Sequence, residues 1–448
     1  MNLPYRPPLL DLLPYQKTGA AWLASHPNSL LGDVPGAGKS AQAIRACDLT
    51  ASANVLVICP ASVRQNWQRE WERFSPMDRP CQVVLPGGPG PRDYGVVIIG
   101  FEMAVTNAAA LKAACFDTLI IDECHALAHR QTKRTKAIYG ANSRSPGIAS
   151  TCKRVYRLSG TPMPSNASQI FTHLKSAGLA TESYYDFVFH FTTGRDSNFG
   201  YVITGHRNVE ELKQRLSGFM LRRTKEEVLP DLPPIFFQTI TVPRSDAVLD
   251  PSFIPLLPQF SQADAQLQAA LTSADPDKQI NILESTASSM NSLRRYVALC
   301  KAPAIAELLE EDLAPGGIDK LVIFAIHTTA IEWLAERMKK HGVVTLYGKT
   351  SPEDRQKNID KFRDDPACRI FIANITAGGT GINLQHCSNL CFIEQSWTPS
   401  DNLQAVMRCH RLGSKNPVRV KIFALHNSVD EHVSDTLARK TRELAKIL

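Results

Sequence analysis

The feature that most limits the fold is an alternation that occurs in two blocks. Short apolar, β-branched runs at 54–60, 95–100, 118–122 and 155–159 are separated by helical patterns. In one of these, over 63–74, Trp67, Trp71 and Phe74 recur at helical spacing and share a face. Runs of the same kind return at 321–325, 345–347, 369–373, 390–394 and 419–425. Strand-length apolar runs alternating with helices predict parallel sheets covered on both faces. Between the blocks, 230–258 is rich in proline and 261–299 reads as polar and helical. The pattern predicts two α/β lobes, 1–230 and 300–448, joined by a linker with a small helical insertion over 231–299.

The strongest local motif is Leu31-Gly-Asp-Val-Pro-Gly-Ala-Gly-Lys-Ser40, followed by a helical run over 41–46. It resembles a phosphate-binding loop that opens a helix. Gly36 and Gly38 let backbone N–H groups approach phosphate oxygens. Lys39 would neutralise the β and γ oxygens, and Ser40 would ligate Mg2+. The general pattern begins with Gly where this chain has Asp33. The second half of such a site is Leu119-Ile-Ile-Asp122-Glu123-Cys-His125, where an apolar strand ends in two adjacent carboxylates. Asp122 can hold the hydration shell of Mg2+. Glu123 can orient and deprotonate an attacking water. Adjacent acids at a strand end can also be no more than favourable charge at a helix N-terminus. Their pairing with the loop favours the chemical reading.

Composition narrows the partner class. The chain has 44% apolar and 21% charged residues, ordinary for a protein with a full core. No run of eighteen apolar residues occurs, so no membrane span is expected. The first residues lack a basic leader followed by an apolar block, so no secretory signal is expected. Eleven scattered Cys include no Cys-x-x-Cys pair, and Cys387 and Cys391 lack a second pair. Reduced thiols in a cytoplasmic protein, and no zinc, are the expectation. The net charge is +7, and its distribution is uneven: no acid lies between Glu123 and Glu182. That stretch holds Arg130, Lys133, Arg134, Lys136, Arg144, Lys153, Arg154, Arg157 and Lys175. One sign of charge over such a length suggests a polyanion, or a solvated loop.

Asp122-Glu-Cys-His125 resembles the DEAH-type box of superfamily-two helicases. The remaining motifs are similar, in order and over nearly the full chain, to the Swi/Snf branch, whose phosphate loop begins with Asp. Pro14-Tyr-Gln16 looks like the adenine-reading glutamine motif. Pro60-Ala-Ser-Val-Arg-Gln-Asn-Trp67 is similar to a segment that contacts a DNA strand. Leu158-Ser-Gly-Thr-Pro162 is similar to the motif that couples hydrolysis to lobe movement. Phe219-Met-Leu-Arg-Arg-Thr-Lys-Glu-Glu-Val-Leu is close to the branch's exit from the first lobe. Gly348-Lys-Thr-Ser-Pro-Glu-Asp-Arg-Gln, Thr376-Ala-Gly-Gly-Thr-Gly-Ile-Asn-Leu384 and Gln404-Ala-Val-Met-Arg408-Cys-His-Arg411-Leu-Gly resemble the second-lobe motifs. The chain departs from the branch at Ser414-Lys415. Trp397-Thr-Pro and Lys301-Ala-Pro-Ala-Ile-Ala-Glu-Leu give it a look nearest to compact HARP-type annealing helicases.

The resemblance implies two RecA-like doubly wound lobes and an ATP-driven motor on double-stranded or forked DNA. ATP would be held by Gln16, Asp33, Val34, Pro35, Gly36, Ala37, Gly38, Lys39 and Ser40, with Mg2+ at Ser40 and, through water, Asp122. Lys39, Asp122, Glu123, Arg408 and Arg411 would be catalytic. The two arginines would share a helix face and meet the transition-state charge, worth on the order of 10³-fold or more. His125, Ser159, Gly160, Thr161, Gly378, Gly381 and Gln404 would couple hydrolysis to movement. Arg130, Lys133, Arg134 and Lys136, with Ser62 and Thr376, would contact DNA. Two alternatives stay open: a strand-separating helicase, with 193–207 as a turn-rich protrusion, and an ATP-gated scaffold that remodels a protein. The compactness hints at a bacterial or viral origin.

Overall fold

A computed structural model describes residues 10–142, 144–197, 200–247, 290–378, 382–411, 413–445 and 447. Contacts divide the chain into two compact units, residues 1–231 with 440–448 and residues 232–439.

The first unit is built on seven parallel strands. They are β1 (Asn28–Leu31), β2 (Val55–Cys59), β3 (Cys81–Val83), β4 (Val96–Gly100), β5 (Thr118–Asp122), β6 (Arg154–Leu158) and β7 (Met220–Leu221), in the spatial order β7-β1-β6-β5-β2-β4-β3. Strands β2 and β4 are buried at every residue, which is why they read as unbroken apolar runs. Helices α1 (Pro14–Ser25), α2 (Lys39–Leu49) and α3 (Arg64–Phe74) cover one face. There Leu23, Ile44, Trp67 and Trp71 pack on Val57, Ile98 and Ile120. The shared face of Trp67 and Trp71 is therefore core, and truncating either to alanine would cost about 3–5 kcal/mol. On the other face Phe101, Leu111, Phe116, Leu127 and Ile138 form a second core, which Leu444 and Ile447 join.

Outside this sheet, Thr192–Ser197 and Gly200–His206 pair as an antiparallel hairpin with an irregularity between Ile203 and Gly205. This is the segment expected as a protrusion.

The second unit carries six parallel strands. They are β8 (Ile235–Val242), β9 (Leu321–Ala325), β10 (Val343–Leu346), β11 (Ile370–Asn374), β12 (Asn389–Phe392) and β13 (Val418–Leu425), in the order β8-β13-β12-β9-β11-β10. The helix Met290–Asp312 runs into one of its two cores with Leu299, Ile305 and Leu309. Lys301 is fully buried there, donating to the carbonyl of Phe423 at 2.9 Å and to Asp430 at 2.5 Å. Both units are RecA-like doubly wound sheets. Strand β8 and the start of the long helix lie within the span expected as linker, and residues 248–289 of that span lie outside the described residues. Among the described residues no helix is long and apolar enough to cross a membrane.

Candidate nucleotide-hydrolysis site

The register of the first sheet brings the motifs together. Leu31 and Asp122 both pair with Leu158, one on each side. The phosphate loop after β1, the acids ending β5 and Ser159 after β6 therefore emerge side by side at the carboxyl ends of the strands. Crevices at that end of a parallel sheet are where such folds bind ligands.

The loop is shaped by its glycines. Gly36 and Gly38 have φ of 87° and 71°, in the left-handed region, and Gly38 caps the N-terminus of α2. A Cβ at Gly38 would run into the amide of Gln16. A Cβ at Gly160 would lie 2.6 Å from the Pro35 ring. Gln16 is buried, donates to the Ala37 carbonyl at 3.2 Å and accepts from the Leu13 amide at 3.0 Å. The Tyr15 hydroxyl donates to the same carbonyl at 3.0 Å. The Lys39 ammonium folds back to the carbonyls of Asp33 at 2.8 Å and Val34 at 3.3 Å. Burial lowers its pKa, and the charges of Glu123, Asp33 and Asp122 oppose that shift. Ser40 sits half-buried in the first turn of α2.

Asp33 has a different task from its loop neighbours. Its carboxylate is fully buried and gripped by Arg223, with Gln42 donating to the same group at 3.1 Å. Arg223 also donates to the Tyr15 carbonyl at 2.7 Å. Neighbouring Arg222 donates to the carbonyls of Gly32 at 3.1 Å and Gly160 at 3.3 Å. The two arginines thus tie the exit from β7 to the loop, to α1 and to the turn after β6. Their motif was legible in the sequence, but these tasks were not. The signal that could have found them is a buried acid in the loop, which needs a cation.

Around the acids, Trp67 donates its indole N–H to Asp122 at 2.8 Å. The other Asp122 oxygen accepts from the Glu123 amide at 3.0 Å. Burial, and then the neighbouring charge of Glu123, raise the Asp122 pKa to about 7. Glu123 has φ of 49°, a left-handed conformation that costs a non-glycine residue on the order of 1–2 kcal/mol. Strain of this kind persists where surrounding structure enforces it, commonly at functional sites. From Glu123 a polar chain runs outward. His125 Nδ1 lies 3.3 Å from the Glu123 carboxylate and 3.1 Å from the Ser159 hydroxyl, which accepts from the Thr161 amide at 3.1 Å. The residues expected to couple hydrolysis to movement in this lobe, His125, Ser159, Gly160 and Thr161, are one connected group.

The expected DNA-contacting residues of the first unit differ in their surroundings. Ser62 is exposed in a short turn before α3. Lys133 and Lys136 are exposed on the helix Lys133–Tyr139. Arg134, on the same helix, is paired with Glu102 at 3.0 Å. Arg130 lies over the rings of Tyr184 and Tyr185. Arg157, from the same acid-free stretch, is fully buried and bonded to Asn28 at 2.7 Å and Ser176 at 2.6 Å, so it contributes no surface charge.

In the second unit, Gln404 is buried on the helix Pro399–Val406, but that helix ends before the arginines. Arg408 and Arg411 sit in the turn that follows and do not share a helix face as spacing suggested. The turn is held locally: the Arg408 carbonyl accepts from Leu384 at 2.9 Å, and Arg411 donates to the Ile382 carbonyl at 3.4 Å. Ser414, where the chain departs from the branch, closes it. Its hydroxyl accepts from the Arg411 amide at 3.0 Å and donates to the Cys409 carbonyl at 2.9 Å. Thr376 is exposed and bonded to Asn374 at 2.6 Å. Gly378 ends the single turn Ile375–Gly378, and Gly381 lies outside the described residues.

The SNF2-related domain matches residues 15–249, and the helicase conserved C-terminal domain matches residues 301–413. The SWI/SNF-related matrix-associated actin-dependent regulator of chromatin subfamily A-like protein 1 homolog of Caenorhabditis elegans is 29% identical, over all of this chain and 63% of its own length. The Drosophila melanogaster protein of that name is 27% identical, over 98% of this chain and 56% of its own. The DNA annealing helicase and endonuclease ZRANB3 of Homo sapiens is 25% identical, over 96% of this chain and 40% of its own. The chain therefore spans about half the length of these relatives. The solved Sulfolobus solfataricus SWI2/SNF2 ATPase core in complex with dsDNA is 24% identical, covering 100% of this chain and 99% of that one, with a TM-score of 0.45. With the phosphate loop, the paired acids and the second-lobe motifs in family order, and with the SNF2-related domain spanning more than half of it, this chain belongs to the SNF2-related family, within the Swi/Snf branch of the superfamily-two helicases.

Proposed function

We propose that the chain is a nucleic-acid-dependent ATPase that hydrolyses ATP to ADP and phosphate while moving on double-stranded or forked DNA, annealing or remodelling it. The observation that carries this reading is the convergence of Lys39, Asp122 and Glu123 at the strand ends, with Glu123 linked through His125 to Ser159 and Thr161. In this assignment the loop amides and Lys39 bind the triphosphate. Glu123 accepts the proton of the attacking water. Trp67 fixes the Asp122 carboxylate by its hydrogen bond. The family resemblance assigns Arg408 and Arg411 the supply of positive charge to the phosphoryl group in transit. Loss of the γ-phosphate alters what Glu123 faces, and the His125–Ser159 contact carries that change to the turn after β6. Stepping then follows from different affinities of two conformations for ATP and its products.

The donors present suit Mg2+. Asp122 and Ser40 offer hard oxygen ligands, and the charge of Glu123 beside the buried Asp122 carboxylate, which helps raise the Asp122 pKa, favours a cation there. When bound, the ion offsets phosphate charge. Asp122 would hold it through water and Ser40 directly.

ATP turnover measured without DNA and with single-stranded, duplex and forked DNA tests the proposal, and equal rates in all four would sink it. The hairpin of Thr192–Ser197 and Gly200–His206 supports a second reading, strand separation, because a wedge requires an antiparallel hairpin of this kind. Unwinding of a tailed duplex would favour that reading.

A further inference from the structure

The acid-free basic stretch surrounds a concave site that the motor motifs do not use. A cavity of about 510 Å³ opens in the first unit, lined among others by Arg130, Lys136, Asn142, Lys175, Ser183 and Tyr184. Three of these are cations. The acid in its wall, Glu182, is paired with Arg215 at 2.5 Å. Lys175 is held by two neutral acceptors, the carbonyls of Thr181 and Glu182 at 3.2 and 3.3 Å, and so keeps its charge for a ligand. The Arg130 guanidinium lies 4.8 Å from the Tyr184 ring centroid and 5.6 Å from that of Tyr185. Tyr184 is braced edge-on by Phe171, with centroids 5.4 Å apart, and Tyr185 is exposed. Composition gave no hint of a stacking platform. Tyr184 and Tyr185 adjoin one another in sequence, and only folding brings Arg130 onto them.

We propose that this cavity takes one unpaired nucleotide of a DNA strand, its phosphates held by Arg130, Lys136 and Lys175 and its base against Tyr184. This rests on the DNA reading above and adds a strand-binding site to it. The chemistry selects the occupant. Cations beside aromatic rings are the combination that binds single strands, where bases expose their faces. A duplex keeps its bases stacked inward and presents only backbone and groove edges, so it offers no base face to Tyr184. The walls also touch the hydrolysis machinery: Thr135 and Thr172, both in the lining, donate to the Leu127 carbonyl at 3.3 and 2.8 Å, at the end of the turn that carries His125.

The test uses the full chain, binding of a labelled short oligothymidylate by fluorescence anisotropy, and ATP turnover with and without duplex DNA. Tyr184→Ala and Lys175→Glu should each weaken oligothymidylate binding about tenfold, with both turnover rates within about twofold of wild type. Tyr184→Leu, which keeps the packing on Phe171, guards against loss of fold and should also bind weakly. Inorganic phosphate at equal concentration should leave the strand bound. Oligothymidylate binding that is absent in wild type, or unchanged in Lys175→Glu and Tyr184→Leu, overturns the proposal. Displacement of the strand by phosphate alone overturns the nucleotide assignment. A wild-type protein that duplex DNA fails to stimulate would count against the motor and leave the cavity result to be read on its own.

Discussion

Arg223 grips Asp33 with two parallel hydrogen bonds, Nε to Oδ1 at 3.0 Å and Nη2 to Oδ2 at 2.5 Å, across 190 positions of sequence. The acid that opens the phosphate loop is therefore a structural anchor, and the end of the first lobe is fastened to its beginning. A fully buried carboxylate is tolerated only with such a partner. Arg223→Ala should cost about 3–5 kcal/mol of stability and weaken ATP binding, because the loop loses its tie to Tyr15. Arg223→Lys should restore little, since an ammonium cannot fork a carboxylate. Urea unfolding and binding of a fluorescent ATP analogue measure both effects. Unaltered ATP affinity in Arg223→Ala would show that the anchor is irrelevant to the loop.

Lys39→Ala and Glu123→Gln should each reduce ATP turnover to background, for different reasons. Glu123→Gln removes the base and keeps the shape, so it should still bind ATP. Lys39→Ala removes the charge that holds the phosphates, so it should lose affinity as well. Loss of ATP binding in Glu123→Gln would contradict the assignment of Glu123 as base.

The acid-free stretch divides into surface and core, and the two should behave differently. Lys133→Ala with Lys136→Ala should make log affinity for duplex DNA fall less steeply with log salt, by about 0.9 in slope for each phosphate no longer neutralised. Arg157→Ala should leave that slope alone and lower stability by several kcal/mol, since it empties a fully buried position and strips the partner from Asn28 and Ser176. A salt slope unchanged by the double lysine variant would make that helix ordinary surface.

His173 gives a pH signature. It is fully buried, its Nδ1 is 2.9 Å from the Tyr139 hydroxyl, and burial, with Arg157 nearby, holds its pKa well below the usual imidazole value. A depressed folded pKa contributes stability above the unfolded value of about 6.5 and loses it as the pH falls below that value. Between pH 7 and pH 5 the wild type should lose up to about 1.4 kcal/mol per pH unit through this group. His173→Asn should flatten that part of the profile. Parallel urea-unfolding profiles for the two proteins would rule the contribution out.

The sequence by itself determined the sheet-forming runs, the phosphate loop, the paired acids and the order of motifs. Each rests on local chemistry: strand periodicity, glycine conformational freedom and adjacent carboxylates. In the two parallel sheets, four short or partly exposed strands escaped it, Asn28–Leu31, Cys81–Val83, Met220–Leu221 and Ile235–Val242. Three are too short for a periodic signal. The fourth is exposed along most of its length and lies within a proline-rich segment that reads as linker. The helix expected to carry Arg408 and Arg411 stops at Val406, because the bonds that replace its next turn come from Leu384 and Ser414. What only the tertiary structure decided are the partnerships made across the chain. Asp33 with Arg223, Asp122 with Trp67 and Arg130 with Tyr184 each join residues more than fifty positions apart. The physical reason is that a buried charge or an aromatic face is satisfied by whatever the fold places against it, and no local pattern specifies that neighbour.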